Sequence, residues 1–289
     1  MELRERKMKI GIVLGGGFAR GSAQAGFIKG MLPYINKGDI ELLSCTSIGA
    51  LNGIALSIEK LDYMEQVYRT SNFYDMKNLK LNLKNRLVES ILSNLISDCS
   101  QLHIPLYITG TCLNTLSTHY FYIDETSSYE DVSKVTNITV TFPFVNGVYR
   151  KEYKRFYLDG GATDNIPILP FLYRPVDLLI ILHCYPKYLP PINLIESNMV
   201  VVDIDVTARC PNTISTYSFQ KDNLNKMFDD GVKYGEEFGK RILTLPTLEE
   251  IKLACQAFMR EEIEIRKKKK APLNAAIFFN RLQQTRDLQ

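Results

Sequence analysis

Ser44-Cys45-Thr46-Ser47-Ile48-Gly49-Ala50-Leu51-Asn52-Gly53 joins two different hydrophobic patterns. Before it, Ile40 to Leu43 is a short apolar run broken only by Glu41, which reads as the end of a β-strand. After it, Leu51 to Ile58 opens a helix. A serine on a sharp strand-to-helix turn is the geometry of a nucleophile elbow. The turn lifts the hydroxyl out of the sheet toward a helix N-terminus, where unpaired N–H groups favour a developing negative charge. The backbone folds tightly there, so the flanking residues must be small. Gly49 meets that need, whereas Cys45 stands where G-x-S-x-G has its first glycine. Ser47 is therefore the candidate nucleophile.

Upstream, Lys9 to Leu14 (KIGIVL) reads as a buried strand that ends in Gly15-Gly16-Gly17. Phe18-Ala19-Arg20-Gly21 then opens a helix through Ala23, Ala25, Phe27, Ile28, Met31 and Leu32, with Pro33 in a final turn. Strand, glycine loop, helix, strand, elbow and helix in the first fifty-odd residues (~55) predict an α/β layered fold with a mostly parallel central sheet. Downstream, Leu61 to Arg69 and Lys84 to Ile96 have helical period, with Phe73 to Leu83 between them rich in Lys, Asn and aromatics. Residues 60–100 interrupt the strand–helix rhythm, as a lid or substrate wall does; a plain packing helix pair is the alternative.

Strand character returns at Ile104 to Thr111 and His119 to Ile123, which make a hairpin-like pair. Val135 to Phe142 fits strand or helix. Arg155 to Leu158 is a short strand delivering Asp159-Gly160-Gly161, and a helix follows around Ile168 to Leu172. Val176 to His183 is apolar enough to be a central strand, and Met199 to Val206 is the last strand. Helices cover Tyr217 to Leu243 and Leu248 to about Lys268. The pattern divides into a catalytic domain over residues 1–245 and a helical, basic tail over 246–289.

The chain has 289 residues, 45% of them hydrophobic and 23% charged, which is enough apolar material for one large α/β domain. A net charge of +3 gives no argument for a nucleic-acid partner. The six cysteines form no C-x-x-C pair, so neither a disulfide framework nor a zinc site is expected. No apolar run is long enough to span a bilayer, and Met1 to Lys9 lacks a signal-peptide core. Free thiols and the missing leader point to the cytoplasm. Nothing in the pattern specifies an oligomer.

The glycine loop has three chemical readings. A dinucleotide fingerprint fails because Phe18 or Arg20 falls on a required glycine, and a P-loop fails because Arg20-Gly21-Ser22 replaces Gly-Lys-Ser. The third reading is an oxyanion hole beside the elbow, with backbone N–H donors around Gly16, Gly17 and Phe18. Arg20 steadies that loop or meets an anionic headgroup. Serine also needs a proton acceptor. His103 precedes a strand, His119 begins one and His183 ends one, and none sits in a catalytic context. Asp159, at a strand end with two glycines behind it, is the better base.

The combination of a glycine loop ending in Arg20-Gly21, the Thr46-Ser47-Ile48-Gly49 elbow and Asp159-Gly160-Gly161 resembles the patatin-like phospholipase family over Lys9 to about Val206. Ala50-Leu51-Asn52-Gly53, Ile104 to Thr109, Phe142-Pro143 and Asn165-Ile166-Pro167 match in the same order. The resemblance implies a three-layer α/β/α fold, a Ser47–Asp159 dyad without histidine, and an oxyanion loop from Gly15 to Gly21. It implies acyl-ester hydrolysis of a lipid or phospholipid through an acyl-enzyme, with no metal or cofactor. An acyltransferase using the same dyad is one rival.

Two residues depart from the family pattern: Phe18 and Cys45 each stand where glycine is usual. A required positive φ at Phe18 would strain it. These departures motivate a second rival, a catalytically silent relative that binds lipid or protein. A lipid enzyme must meet an interface, and Arg266 to Lys270 is the candidate for peripheral membrane contact; a solvated basic helix end is the plainer alternative.

Overall fold

Ile10–Leu14 (β1) is buried at all five positions, as a strand covered on both faces must be. The computed structural model describes residues 8–70, 84–96, 102–142, 148–185, 188, 190–191, 194, 197–210 and 219–268. In chain order the other strands are β2 (Ile40–Cys45), β3 (Leu106–Cys112), β4 (Ser117–Ile123), β5 (Arg150–Glu152), β6 (Arg155–Asp159), β7 (Leu178–His183) and β8 (Val200–Asp205). The helices are α1 (Gly21–Met31), α2 (Ile48–Ser57), α3 (Leu61–Thr70), α4 (Lys84–Ile96), α5 (Tyr129–Thr139), α6 (Leu169–Tyr173), α7 (Lys221–Phe238) and α8 (Leu248–Lys268).

The strands form one sheet in the order β5-β6-β3-β2-β1-β7-β8, with β4 paired to β3 off this path. β3, β2, β1, β7 and β8 run parallel, and the antiparallel members β4, β5 and β6 gather at one end. β7 lies between β1 and β8, the interior place its apolar sequence predicts. Alternation splits the core. Ile10, Ile12 and Leu14 share the large core with α1, α2, α3, α7 and α8, while Val13 joins Ile166, Ile168, Phe171 and Leu179 on the opposite face under α6.

Two ambiguous stretches resolve as follows. Val135 to Thr139 belong to α5 and Val140 to Phe142 follow its end; the helix is capped by Ser128, whose Oγ accepts the Asp131 N–H at 3.1 Å. β5 was not foreseen. It pairs with β6 across Tyr153-Lys154, at φ 48 and 60, a tight turn built without the usual Gly or Asn. Within residues 60–100, read as a lid or a packing helix pair, Leu61, Met64, Val67 and Tyr68 of α3 and Ile91, Leu92 and Leu95 of α4 are buried in the main core. Residues 71–83 and 97–101 of that stretch lie outside the described residues.

The expected boundary near residue 246 does not separate the last helix from the core. Ile251, Cys255 and Phe258 of α8 are buried in the main core, with Phe258 against Tyr234 and Phe238 of α7. Arg266 is also a correction. It is not a surface cation but packs inward, with Nη1 donating to Asp203 Oδ2 and Nη2 to the Asp203 carbonyl, both at 2.9 Å. The side chains of Lys267 to Lys270 lie outside the described residues.

α1 and α7 touch backbone to backbone. A Cβ added at Gly26 or Gly30 would stand 2.1 Å from the carbonyl oxygens of Phe228 or Val232, and one at Gly231 would stand 2.3 Å from that of Ala23. In an ordinary helix interior, alanine is about 1 kcal/mol better than glycine. Here the added methyl must push two main chains apart, at a cost of about 1–3 kcal/mol. Gly231→Ala is therefore expected to lower the thermal midpoint by several degrees, at roughly 2–4 °C per kcal/mol for a domain this size. An unchanged or higher midpoint in calorimetry would show that the helices part freely.

Candidate active site

Sheet topology brings Ser47 and Asp159 together. β4 occupies one edge of β3 along its whole length, so β2 and β6 share the other edge. β2 arrives parallel and ends with Cys45 opposite Ile108, while β6 arrives antiparallel and ends with Asp159 opposite Gly110. Two strand ends thus meet head-on, two residues apart along β3. Ser47 follows one end and Asp159 closes the other, and Ser47 Oγ donates to Asp159 Oδ2 at 2.6 Å.

Ser47 sits at φ 57, ψ −128, immediately before α2. This left-handed backbone is strained for serine, at a cost of order 1–3 kcal/mol, and such strain gathers at sites of function. The surroundings enforce it. Ser47 N–H donates to Thr139 Oγ1 of α5 at 2.8 Å, Thr46 N–H donates to the Leu14 carbonyl at 3.0 Å, and the Thr46 and Thr109 hydroxyls bond at 2.6 Å. Gly49 has the role expected of it, since a Cβ there would stand 2.3 Å from the Leu14 carbonyl oxygen. Cys45 is buried beneath the elbow, and Gly53 leaves room for its sulfur: a Cβ at Gly53 would meet Sγ at 2.5 Å.

Asp159 is buried, 5% exposed. Burial pushes its carboxyl up to about 7, against the pull of the Ser47 hydroxyl and the Gly161 N–H, which donates to Oδ1 at 2.8 Å. Thr141 O accepts the Asp159 N–H, and Thr111 Oγ1 donates to the Asp159 carbonyl, so the main chain is fixed on both sides. A second buried acid lies five residues on. Asp164 accepts from the Tyr120 hydroxyl, and burial pushes it up to about 6, opposed by Tyr120 and the Ile166 N–H.

The glycine loop passes against Ser47: a Cβ at Gly16 would stand 3.0 Å from Ser47 Cβ. Of the three expected donors, Gly16 is already engaged. Gly16 N–H is spent on the Asn165 carbonyl at 3.2 Å. Gly17 N–H has no acceptor among the described residues. Phe18 adopts φ 51, the left-handed conformation glycine takes freely, and its ring meets the face or edge of Phe142 at 4.7 Å in a T-shaped pair. The loop thus keeps the backbone course glycine would take, at a strain cost of order 1 kcal/mol or more.

Arg20 does not present its charge to a headgroup. It is 7% exposed and its Nη1 donates to the Cys184 carbonyl at 3.0 Å, which ties the loop to the segment after β7. His183 makes no bond to Ser47. Its Nδ1 accepts the Tyr185 N–H and its Nε2 meets Asp203. His119 contacts Tyr157 on the antiparallel end of the sheet. Among the described residues, no group of three His, Cys, Asp or Glu side chains is arranged to hold a metal ion. Thr109, Thr139 and Asn165 support the site; Thr109 and Asn165 fall in stretches matched to the family, but they carry no role in the sequence reading, because a buried threonine or asparagine looks alike wherever it occurs.

An α/β sheet with a strained serine bonded to a buried acid defines the class of site. Residues 12–172 match the model of the patatin-like phospholipases, and the chain belongs to that family. No curated protein matches it. Among solved structures it is similar to VipD from Legionella pneumophila, with 11% identity, TM-score 0.46, and coverage of 81% of this chain and 68% of that one. It is similar to human GIVD cytosolic phospholipase A2 in complex with methyl γ-linolenyl fluorophosphonate, with 11% identity, TM-score 0.43, and coverage of 93% and 61%. It is also similar to the type III effector protein ExoU, with 8% identity, TM-score 0.41, and coverage of 99% and 63%. The chain thus spans about three fifths to two thirds of the length of these structures. Among the described residues, no helix is long and apolar enough to cross a membrane.

Proposed function

We propose that the chain is a serine acyl hydrolase that cleaves fatty-acyl esters of lipids or phospholipids through a Ser47–Asp159 dyad. The observation that carries this reading is the 2.6 Å bond from Ser47 Oγ to a buried Asp159 at the meeting of two strand ends. Family membership supplies the substrate class. A carboxylate held near pH 7 suits general-base work, because its conjugate acid can return the proton to a leaving group.

Ser47 Oγ attacks the ester carbonyl as its proton passes to Asp159 Oδ2. The carbonyl π pair moves onto oxygen, where the N–H groups of Gly17 and Phe18 receive the charge. Collapse breaks the bond to the alcohol, which takes the proton from Asp159 and leaves an acyl-Ser47. Asp159 then accepts a proton from water, the resulting hydroxide attacks the acyl group, and Ser47 recovers its proton as the fatty acid departs. The retained loop course at Phe18 and the room made for Cys45 favour this reading over a silent relative.

The test is labelling of the wild-type chain by a fluorophosphonate ester, in detergent and on phosphatidylcholine vesicles, with the adduct located by peptide mass analysis. The expected adduct lies on Ser47. An adduct on another residue, or none under either condition, overturns the proposal.

A further inference from the structure

Asn165 grips the glycine loop at two points. Gly16 N–H donates to its main-chain carbonyl at 3.2 Å, and its Nδ2 donates back to the Gly16 carbonyl at 3.2 Å. The side chain is wedged between the two loops of the site. Its Oδ1 lies where a Cβ on Gly16 or on Gly161 would stand 2.5 or 2.6 Å away. Asn165 is 8% exposed, so these bonds form away from bulk water.

The side-chain bond has a directional consequence. The described chain has no cis peptide, and in a trans peptide the carbonyl of one residue and the N–H of the next point in opposite directions. Fixing the Gly16 carbonyl toward Asn165 therefore turns Gly17 N–H away from it. One residue earlier, Gln24 Nε2 holds the Gly15 carbonyl at 3.0 Å. Two side-chain amides thus set two successive peptide planes in a stretch where glycine permits many others. A peptide free to rotate would have to be ordered during the reaction, whereas a preorganised donor costs no reorganisation then.

We infer that Asn165 is a positioning residue whose carboxamide, by holding the Gly16 carbonyl, orients the Gly17 N–H for the oxyanion. This rests on the hydrolase reading above. Among the described residues no hydrogen bond joins Asn165 to Ser47 or Asp159, and its effect runs through the Gly16–Gly17 peptide. Asn165→Asp preserves shape and the main-chain bond but replaces the donor with a carboxylate that repels the Gly16 carbonyl. Asn165→Ala removes the grip without adding charge.

The experiment measures kcat and KM for a p-nitrophenyl acyl ester, the rate of fluorophosphonate labelling and the thermal midpoint, in wild type and both variants. Active folded enzyme is counted by the total label incorporated. The expected result is a fall in kcat per labelled site of about a hundred-fold, the scale of one lost oxyanion donor. KM should stay within about threefold, because the donor acts on the transition state and not on the ground state. Labelling should slow in parallel. A kcat per labelled site within about threefold of wild type in either folded variant overturns the inference, whatever the midpoint does. So does a rise in KM at unchanged kcat. A wild type that neither labels nor turns over would instead sink the hydrolase reading, and the two failures are distinguishable on that ground.

Discussion

Ser47→Ala and Asp159→Asn are each expected to reduce kcat for an acyl ester by a factor on the order of 10⁴ to 10⁶, and the double variant should be no slower than the worse single one. Groups that act as one unit are not additive, because removing either partner already disables the proton transfer. Asp159→Asn retains the side-chain shape but offers one acceptor oxygen to two donors, the Ser47 hydroxyl and the Gly161 N–H, and that oxygen has lost the basicity of the carboxylate. Wild-type kcat/KM should rise with pH through about 7, as Asp159 ionises, and the residual activity of Asp159→Asn should lack that limb. Stability should move the other way. A folded-state value raised above the ordinary carboxylate range means that the folded protein holds the proton more tightly than the unfolded chain does. The resulting stabilisation is complete below pH ~4 and is lost as pH rises through about 7. Above pH 7 the native carboxylate is a buried charge, which asparagine removes. The variant should therefore melt at or above the wild-type temperature at pH 8, with the gap closing toward pH 4. A variant that melts well below wild type at pH 8, or one that keeps more than about a tenth of its activity, would argue against Asp159 as the base.

That coupling of strain and burial to chemistry was visible in the sequence only where chemistry forces residue type at short range. The elbow needed small neighbours, and Gly49, pressed against the Leu14 carbonyl, is read correctly. The head-on approach of β2 and β6 was not visible, because it depends on which edge of β3 each strand takes. The β5–β6 hairpin left no turn signal, since Tyr153 and Lys154 adopt left-handed backbone without Gly or Asn. α5 did leave one, since Ser128-Tyr129-Glu130-Asp131 is a capping pattern ahead of the ambiguous run. Asn165 stands 149 positions from the loop it holds, and no local pattern reports such a partner.

Arg266 illustrates the same limit for charge. Within a run of cations it reads as solvated, yet its partner lies 63 positions away on β8. Asp203 is 4% exposed and is held between Arg266 and His183, whose Nδ1 accepts the Tyr185 N–H and whose proton therefore sits on Nε2, facing Asp203. Burial alone would push the Asp203 carboxyl up, but His183 and Arg266 together hold it below its ordinary range. Arg266→Met keeps most of the aliphatic bulk and leaves that carboxylate short of its cation. Breaking one side of a buried pair typically costs about 3–5 kcal/mol. The expected fall in thermal midpoint at neutral pH is roughly 6–20 °C at about 2–4 °C per kcal/mol. Arg266→Lys should recover only part of it, because the guanidinium also donates to the Asp203 carbonyl and a single ammonium does not reproduce that fork. The pH dependence fixes the cause. A depressed carboxylate stabilises the fold above its unfolded value, and that stabilisation is lost as pH falls through the folded value. The gap between wild type and Arg266→Met should therefore narrow as pH falls below about 4 and close only beneath the depressed folded value of Asp203, where the charge is neutralised in both. A gap that persists unchanged into acid would mean that Arg266 stabilises by packing α8 against β8, and that its charge on Asp203 contributes little.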